Sequence, residues 1–185
     1  MTDSVTIEEW RPDLAAAASV DFDLDMLADV LRAVVYGGAG VSFFVPFSID
    51  EARAFWHDAV LPRVRARTRR VVVARAGTRI VGTVQLEMSV PPNQRHRADV
   101  LKLLVHPSAR RRGIARALMV ALEAIAREEG RTLLTLDTVT GSAAEPLYVA
   151  LGYTIVGVIP GYARQALSED LEAATFMYKE LRESP

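Results

Sequence analysis

The stretch from Leu103 to Ala115 constrains this chain more than any other. An apolar strand ending in Val105 passes through a short polar turn carrying three consecutive arginines, and Gly113 then opens an amphipathic helix. Ile114, Leu118, Leu122 and Ile125 fall on one stripe of that helix, with Glu123 and Arg127 paired at i, i+4 on its outer side. A strand delivered directly into a helix is the building unit of α/β architecture. The first turn of such a helix has N–H groups with no intrahelical partner, at the positive end of the macrodipole, and so suits an anion such as a pyrophosphate. Gly113 lets a phosphate approach the backbone, Ala115 keeps the next position small, and Arg110, Arg111, Arg112 and Arg116 add positive charge beside Ile114. The plain alternative is a solvated, arginine-rich turn.

The remaining chain supplies partners for this unit. Val5 to Trp10 alternates as a strand, and Leu24 to Tyr36 carries apolar residues at helical spacing until Gly37 and Gly38 stop it. Ser48 and Glu51 match a capping box, predicting a second helix that bends or ends near Pro62. The β-branched runs Val71–Ala74 and Ile80–Met88, separated by Ala76-Gly77-Thr78, read as a hairpin closed by Pro91 and Pro92. Strands are expected over Val100–Val105, Leu133–Asp137, Tyr153–Val158 and Thr175–Leu181, and helices over Ile114–Glu129 and Ala143–Leu151. That makes about seven strands and about four helices, in one domain over residues 1–185.

Composition removes several function classes. The formal net charge is −1, so no global electrostatic force favours nucleic acid or an anionic membrane. The longest apolar stretch, Ile114 to Ala126, is broken by Arg116 and Glu123, and the N-terminal residues lack a basic segment followed by an apolar one. A cytoplasmic location is therefore expected, without a membrane partner. With no cysteine, a disulfide framework, a zinc–thiolate site and a cysteinyl covalent intermediate are all excluded. His57, His96 and His106 are too scattered to suggest a metal.

Arg110, Gly113 and Ala115, placed between strand and helix, resemble the signature of the GNAT superfamily of N-acetyltransferases: Arg or Gln, two residues, Gly, one residue, Gly or Ala. A second stretch, Ala144, Leu147, Tyr148, Gly152 and Tyr153, is similar to that superfamily's Asn-x-x-Ala-x-x-Leu-Tyr and Gly-Phe frame, with Gly141 where the asparagine stands. The resemblance implies a mixed, mostly antiparallel central sheet, splayed near Val105 so that a pantetheine arm lies alongside the strand. It implies acetyl-CoA as co-substrate, held by Leu104, Val105, the residues from Arg110 to Arg116 and Ser142, with no metal. Asn93 to Asp99, Leu136 to Thr138 with Gly141 and Ser142, and Ile159 to Tyr162 look like the bacterial tabtoxin-resistance acetyltransferases. The acceptor this implies is a small amine, an amino-acid-like toxin or antibiotic. Protein amines, and a non-catalytic acetyl-CoA-binding sensor or partner module, stay open as alternatives, as does a homodimer.

The chemistry sets its own requirements. An amine must lose a proton before attacking a thioester, which calls for a nearby carboxylate. Asp99, at the start of the strand leading to the arginine turn, is one candidate; strand alternation would place it on a face with Leu101, Leu103 and Val105. It also falls where histone-acetylating relatives carry their general-base glutamate. Asp137, ending the neighbouring strand, is the other, because open α/β sheets collect ligands beyond strand C-termini. Turn-forming and loop-capping roles are the structural alternatives for the two. The departing thiolate needs a proton, and Tyr148 is the candidate donor, a packed core tyrosine being its alternative reading. A backbone amide of Leu104 or Val105 would polarise the thioester carbonyl. Tyr36, Phe43, Phe44 and Trp56 are candidate walls of an acceptor pocket.

Overall fold

The computed structural model describes residues 4–181. Strand β1 (Val5–Glu9) is followed by helix α1 (Ala17–Tyr36), which starts a full two turns before the expected Leu24 and ends at Gly37 and Gly38. Helix α2 (Ile49–Ala54) opens on the expected capping box: the Ser48 amide donates to Glu51 Oε2 (2.7 Å) and the Glu51 amide to Ser48 Oγ (3.1 Å). Pro62 does not end the helix. The chain passes through a π-helical turn (Phe55–Val60), closed by the Leu61 amide on the Trp56 carbonyl, into α3 (Leu61–Arg65), where the proline sits in the first turn. Because proline has no N–H for the carbonyl four residues back, the widened turn accommodates it without a break.

Strands β2 (Arg69–Ala76) and β3 (Arg79–Glu87) form the hairpin, β4 (Arg97–Val105) follows, and α4 (Ile114–Glu128), β5 (Leu133–Val139) and α5 (Glu145–Ala150) lead to β6 (Thr154–Arg164) and β7 (Leu171–Glu180). The seven strands lie in the order β1-β2-β3-β4-β5-β7-β6, antiparallel throughout except for β4 and β5. Counting the α2–π–α3 run as one segment, four helices flank the sheet among the described residues. Strand β6 is nearly twice its expected length, continuing through Pro160 and Gly161 along the sheet edge, where a proline need not donate to a ladder. The mixed, mostly antiparallel α/β sheet expected from the sequence is present.

Alternation divides the core in two. Val71 and Val73 pack under α1 and the α2–α3 segment with Leu27, Leu31 and Trp56, while Val72 and Ala74 face α4 with Leu118 and Leu122. Side chains as fully buried as Leu118 cost about 2–5 kcal/mol when cut back to alanine. Among the described residues, no helix is long and apolar enough to cross a membrane.

Candidate active site

Two irregularities in β4 create the site. The parallel ladder to β5 has only three rungs, Arg97–Leu133, Ala98–Leu134 and Asp99–Thr135, after which the strands part. β5 continues to Val139 on β7, while β4 stays on β3. The opening expected near Val105 therefore begins six residues earlier. The second irregularity is a bulge: Gln85 pairs with Leu101 and Thr83 with Leu104, so β4 carries one extra residue there, and Lys102 adopts the left-handed region (φ 53°). A bulge resets the alternation of faces. Ala98, Val100, Leu103 and Val105 pack on the α4 side and Leu104 on the α1 side, so Asp99 shares its face with Leu101 and Leu104, not with Leu103 and Val105.

The same register separates the two candidate amides. His106 donates its amide to the Val81 carbonyl at 2.9 Å, so ladder alternation turns Leu104 toward β3 and Val105 toward the opening. The Leu104 side chain is buried in the α1 core and its amide faces β3, which leaves the Val105 amide as the one of the two directed at the opening.

Between the parted strands and the loop after α1 lies a cavity of about 450 Å³. Asp137, Thr138, Ser142 and Tyr148 line it from the β5 side, Leu101 and Lys102 from β4, Arg69 and Gln85 from the hairpin, and Gly38 to Ser42 from the loop. A Cβ at Gly40 would stand 2.2 Å from Glu172 Oε1 and 2.6 Å from Val139 Cγ2, so a side chain there would require both neighbours to shift. Asp137 is exposed on the cavity rim and also borders a neighbouring cleft of about 560 Å³. Asp99 lines only that cleft, and its carboxylate accepts from the Arg97 guanidinium and the Thr135 hydroxyl. Tyr148 is buried and packs edge-on against Tyr153, ring centroids 5.6 Å apart. Burial, with the nearby Asp137 charge adding to it, pushes the Tyr148 hydroxyl far above the ordinary phenol range. Ser142 is held by a 3.1 Å contact between its hydroxyl and that of Thr138.

Three polar residues that lie within or beside apolar or β-branched stretches of sequence also line the cavity: Arg69, Gln85 and Lys102. Lys102 donates to the Val41 carbonyl (2.6 Å) and to Ser42 Oγ (2.9 Å), with its ammonium 5.5 Å from the Phe43 ring centroid. Burial lowers its pKa to about 8, Arg69 adding to the effect and Asp137 opposing it. Arg69, itself buried, bonds both Glu87 and Gln85. Burial alone would raise the Glu87 pKa, but the bonds from Arg69 and the Ser89 amide more than offset it and hold the carboxylate low. The sequence signal for Lys102 and Gln85 is a single lysine within the apolar run Val100–Val105 and a single glutamine within Ile80–Leu86. Of the expected aromatic walls, Trp56 is wholly buried core and Phe43 stacks on Phe47, while Tyr36 and Phe44 are half exposed beneath Arg32 and Arg164. Phe55, beside Trp56 on the π-helical turn, lines the cavity along with Tyr148.

Around the end of β4 lies a shallow recess of about 280 Å³ whose lining includes Val105, Arg110, Arg111, Gly113, Ile114, Ala115 and Arg116. No side chain caps α4, and Gly113 holds φ 75°, with nothing within 4 Å of where a Cβ would stand. Arg111 is also left-handed (φ 61°). Arg110 borders the recess and also contacts the end of β4. Its Nε donates to the Val105 carbonyl (3.3 Å), and Nη2 lies 3.8 Å from where a Gly37 Cβ would be, so it braces the end of β4 against the C-terminus of α1. Opposite, the Gly141 amide at the position of the superfamily's asparagine donates to Glu145 (2.8 Å). Among the described residues, no group of three or more His, Asp or Glu side chains is arranged to hold a metal.

The family model described as the acetyltransferase (GNAT) family matches residues 36–153, which spans the loop, the parted strands, the arginine turn and Tyr148. The chain belongs to the GNAT family. Among curated relatives, rat N-acetyltransferase 8B is 36% identical over 87 residues, covering 46% of this chain and 39% of that protein. This chain thus matches about two fifths of the length of that relative. An N-acetyltransferase of Azospirillum brasilense, from the hisH-hisA intergenic region, is 32% identical over 117 residues, covering 62% of this chain and 67% of its own length. Among solved structures, an N-acetyltransferase from Staphylococcus aureus Mu50 superimposes with a TM-score of 0.77 over 97% of this chain and 99% of its own, at 17% identity. An acetyltransferase from Salmonella typhimurium, solved with its cofactor acetyl-CoA, gives 0.75 over 97% and 95%, at 19% identity. At these identities the likeness is one of fold.

Proposed function

We propose that this GNAT protein is an N-acetyltransferase that moves an acetyl group from acetyl-CoA directly to the primary amine of a small molecule. One observation carries the reading: the parting of β4 from β5 after Asp99 opens a cavity lined by Asp137 and Tyr148, and β4 then runs on to the uncapped α4 turn at Gly113. The residues present fit the co-substrate. The first-turn amides of α4, with Arg110, Arg111, Arg112 and Arg116 beside them, would hold its pyrophosphate, and the open space over Gly113 leaves the approach clear. Val105 and Ser142 would border its arm. Acetyl-CoA supplies an activated acetyl thioester.

The chain's own groups do the rest. The Val105 amide, turned into the opening, is a donor for a developing oxyanion. Asp137, on the rim, takes a proton from the entering amine, directly or through water, and its charge also draws the ammonium form in. The Tyr148 hydroxyl, kept protonated by burial, is a proton source for the departing sulfur. The chain has no cysteine, so attack on the thioester comes from the acceptor while both substrates are held.

Thiol release tests this, measured with saturating acetyl-CoA against a panel of small amines, with peptide N-termini and lysines included. Turnover on small amines with intersecting initial-rate lines supports the proposal. Turnover confined to peptides moves the acceptor to protein amines, while tight acetyl-CoA binding with no turnover on any amine leaves only a binding module.

A further inference from the structure

At the back of the cavity, a chain of buried groups fixes one hydrogen-bond donor that has nothing to donate to. Gln85 is fully buried. Its Oε1 accepts from Arg69 Nη1 at 2.8 Å, and Arg69 is clamped in turn by Glu87, so the orientation of the amide is set by its surroundings. That leaves Nε2 as a buried donor without a partner, in a side chain that lines the cavity. A buried amide N–H left unpaired is costly, and that cost is removed most simply when a ligand accepts the bond.

Lys102 stands on the adjoining strand, in the bulge whose rung pairs Gln85 with Leu101. Its ammonium donates to two neutral oxygens, of Val41 and Ser42, and among the described residues no carboxylate forms an ion pair with it. Arg69, the other cation at the back wall, is already balanced by Glu87. Among the described residues, Asp137 is the one carboxylate lining the cavity. The walls therefore present the Asp137 carboxylate, and an ammonium without a direct ion-pair partner beside an unpaired amide donor.

We propose that Gln85 and Lys102 form a subsite for a carboxylate on the acceptor, so that the amine substrate is an amino-acid-like compound carrying its acid group within a few bonds of the amine. This rests on the acetyl-transfer reading above and names its substrate class. The carboxylate takes the Gln85 N–H and neutralises Lys102, which holds the amine end toward Asp137 and the opening between β4 and β5. Lys102 also ties down the loop at Val41 and Ser42, so the same contact joins acceptor binding to the cavity wall.

The test uses matched pairs of free amino acids and their carboxamides as acceptors for the whole chain under saturating acetyl-CoA. Such pairs are biased against the proposal, because the amine of a carboxamide is less basic and more of it is neutral. The expected result is a kcat/KM at least tenfold higher for the acids, with that ratio falling toward one in Gln85→Leu and in Lys102→Met, chiefly through KM, and largely kept in Lys102→Arg. A parental ratio near one, or a ratio untouched by both substitutions, overturns the subsite while leaving acetyl transfer in place. If no amine releases thiol, acetyl transfer itself fails, and NMR titration of the same pairs in the presence of CoA decides the subsite alone. Acid bound tighter than amide, and lost in Lys102→Met, supports it; equal or absent binding overturns it.

Discussion

Thr135 donates its hydroxyl to the Asp99 carboxylate across the last rung of the β4–β5 ladder, and Arg97 closes on the same oxygen. Just beyond that rung the strands part, so the contact pins the closed end of the opening. Asp137, two residues further along β5 on the same face, lies where the strands have separated. The two carboxylates that sequence alone could not rank are thus given different surroundings.

Asp137→Asn is accordingly expected to lower kcat/KM by about 10²–10⁴, most steeply on the acidic limb, where the amine is protonated. Asp99→Asn removes an ion pair at the base of the opening, and is expected to lower the thermal midpoint while costing less than tenfold in turnover. pH–rate profiles of both variants separate the cases. A silent Asp137→Asn beside a crippled Asp99→Asn would return the base to Asp99.

Gly113 separates backbone strain from ligand contact. At φ 75° any L side chain is strained, so Gly113→Ala should lose about 1 kcal/mol of stability in denaturant unfolding. Gly113→Glu adds a negative charge over the free amides of α4 and should nearly abolish acetyl-CoA binding by calorimetry, although no protein atom stands in its way. Unchanged affinity in a folded Gly113→Glu protein would remove the pyrophosphate from this turn.

Local rules made much of this legible in advance. The strand–turn–helix unit at Val105–Ile114, the capping box at Ser48 and the hairpin at Gly77 each follow from neighbours within a few residues, and each is present. The bulge at Lys102 is different. Nothing local in Leu101-Lys102-Leu103 requires an extra residue, and its consequence depends on the pairing with Gln85 and Thr83 from a distant strand. The misplaced face of Asp99, the engaged amide of Leu104 and the overlooked Lys102 all come from that one residue. Gln85 was hidden for a related reason, since a polar residue in a strand reads as solvent-facing until a helix layer covers both sides of the sheet.

Tyr148→Phe keeps the ring against Tyr153 and removes only the proton donor. It should fold and bind acetyl-CoA nearly as the parent does, yet turn over about 10²–10⁴ times more slowly in single-turnover experiments. A better leaving group needs less help, so an acetyl thioester of a more acidic thiol should recover part of the loss in the variant and gain less in the parent. Parental single-turnover rates in Tyr148→Phe would leave this side chain as packing alone.

Lys102 carries the last prediction, which concerns stability and pH. Its pKa falls from an ordinary lysine's 10.5 to about 8 in the folded chain, through burial first, with Arg69 beside it and Asp137 only partly opposing. Between those two values the unfolded chain binds a proton that the folded chain has released, so stability rises with pH across that window. Below about 8 the folded protein bears the full cost of a buried ammonium, of order 3 kcal/mol at most. Lys102→Met removes the charge and keeps the bulk, at the loss of the bonds to Val41 and Ser42. The variant should therefore melt higher than the parent at pH 7, by roughly 5 °C, with the difference shrinking steadily toward pH 10 as the parental lysine becomes neutral. Measuring both proteins at each pH cancels every other titrating group, including Asp137 and the Arg69–Glu87 pair. A difference constant from pH 7 to pH 10 would mean that Lys102 keeps an ordinary lysine pKa in the fold, and that the cavity around it is wetter than its packing implies.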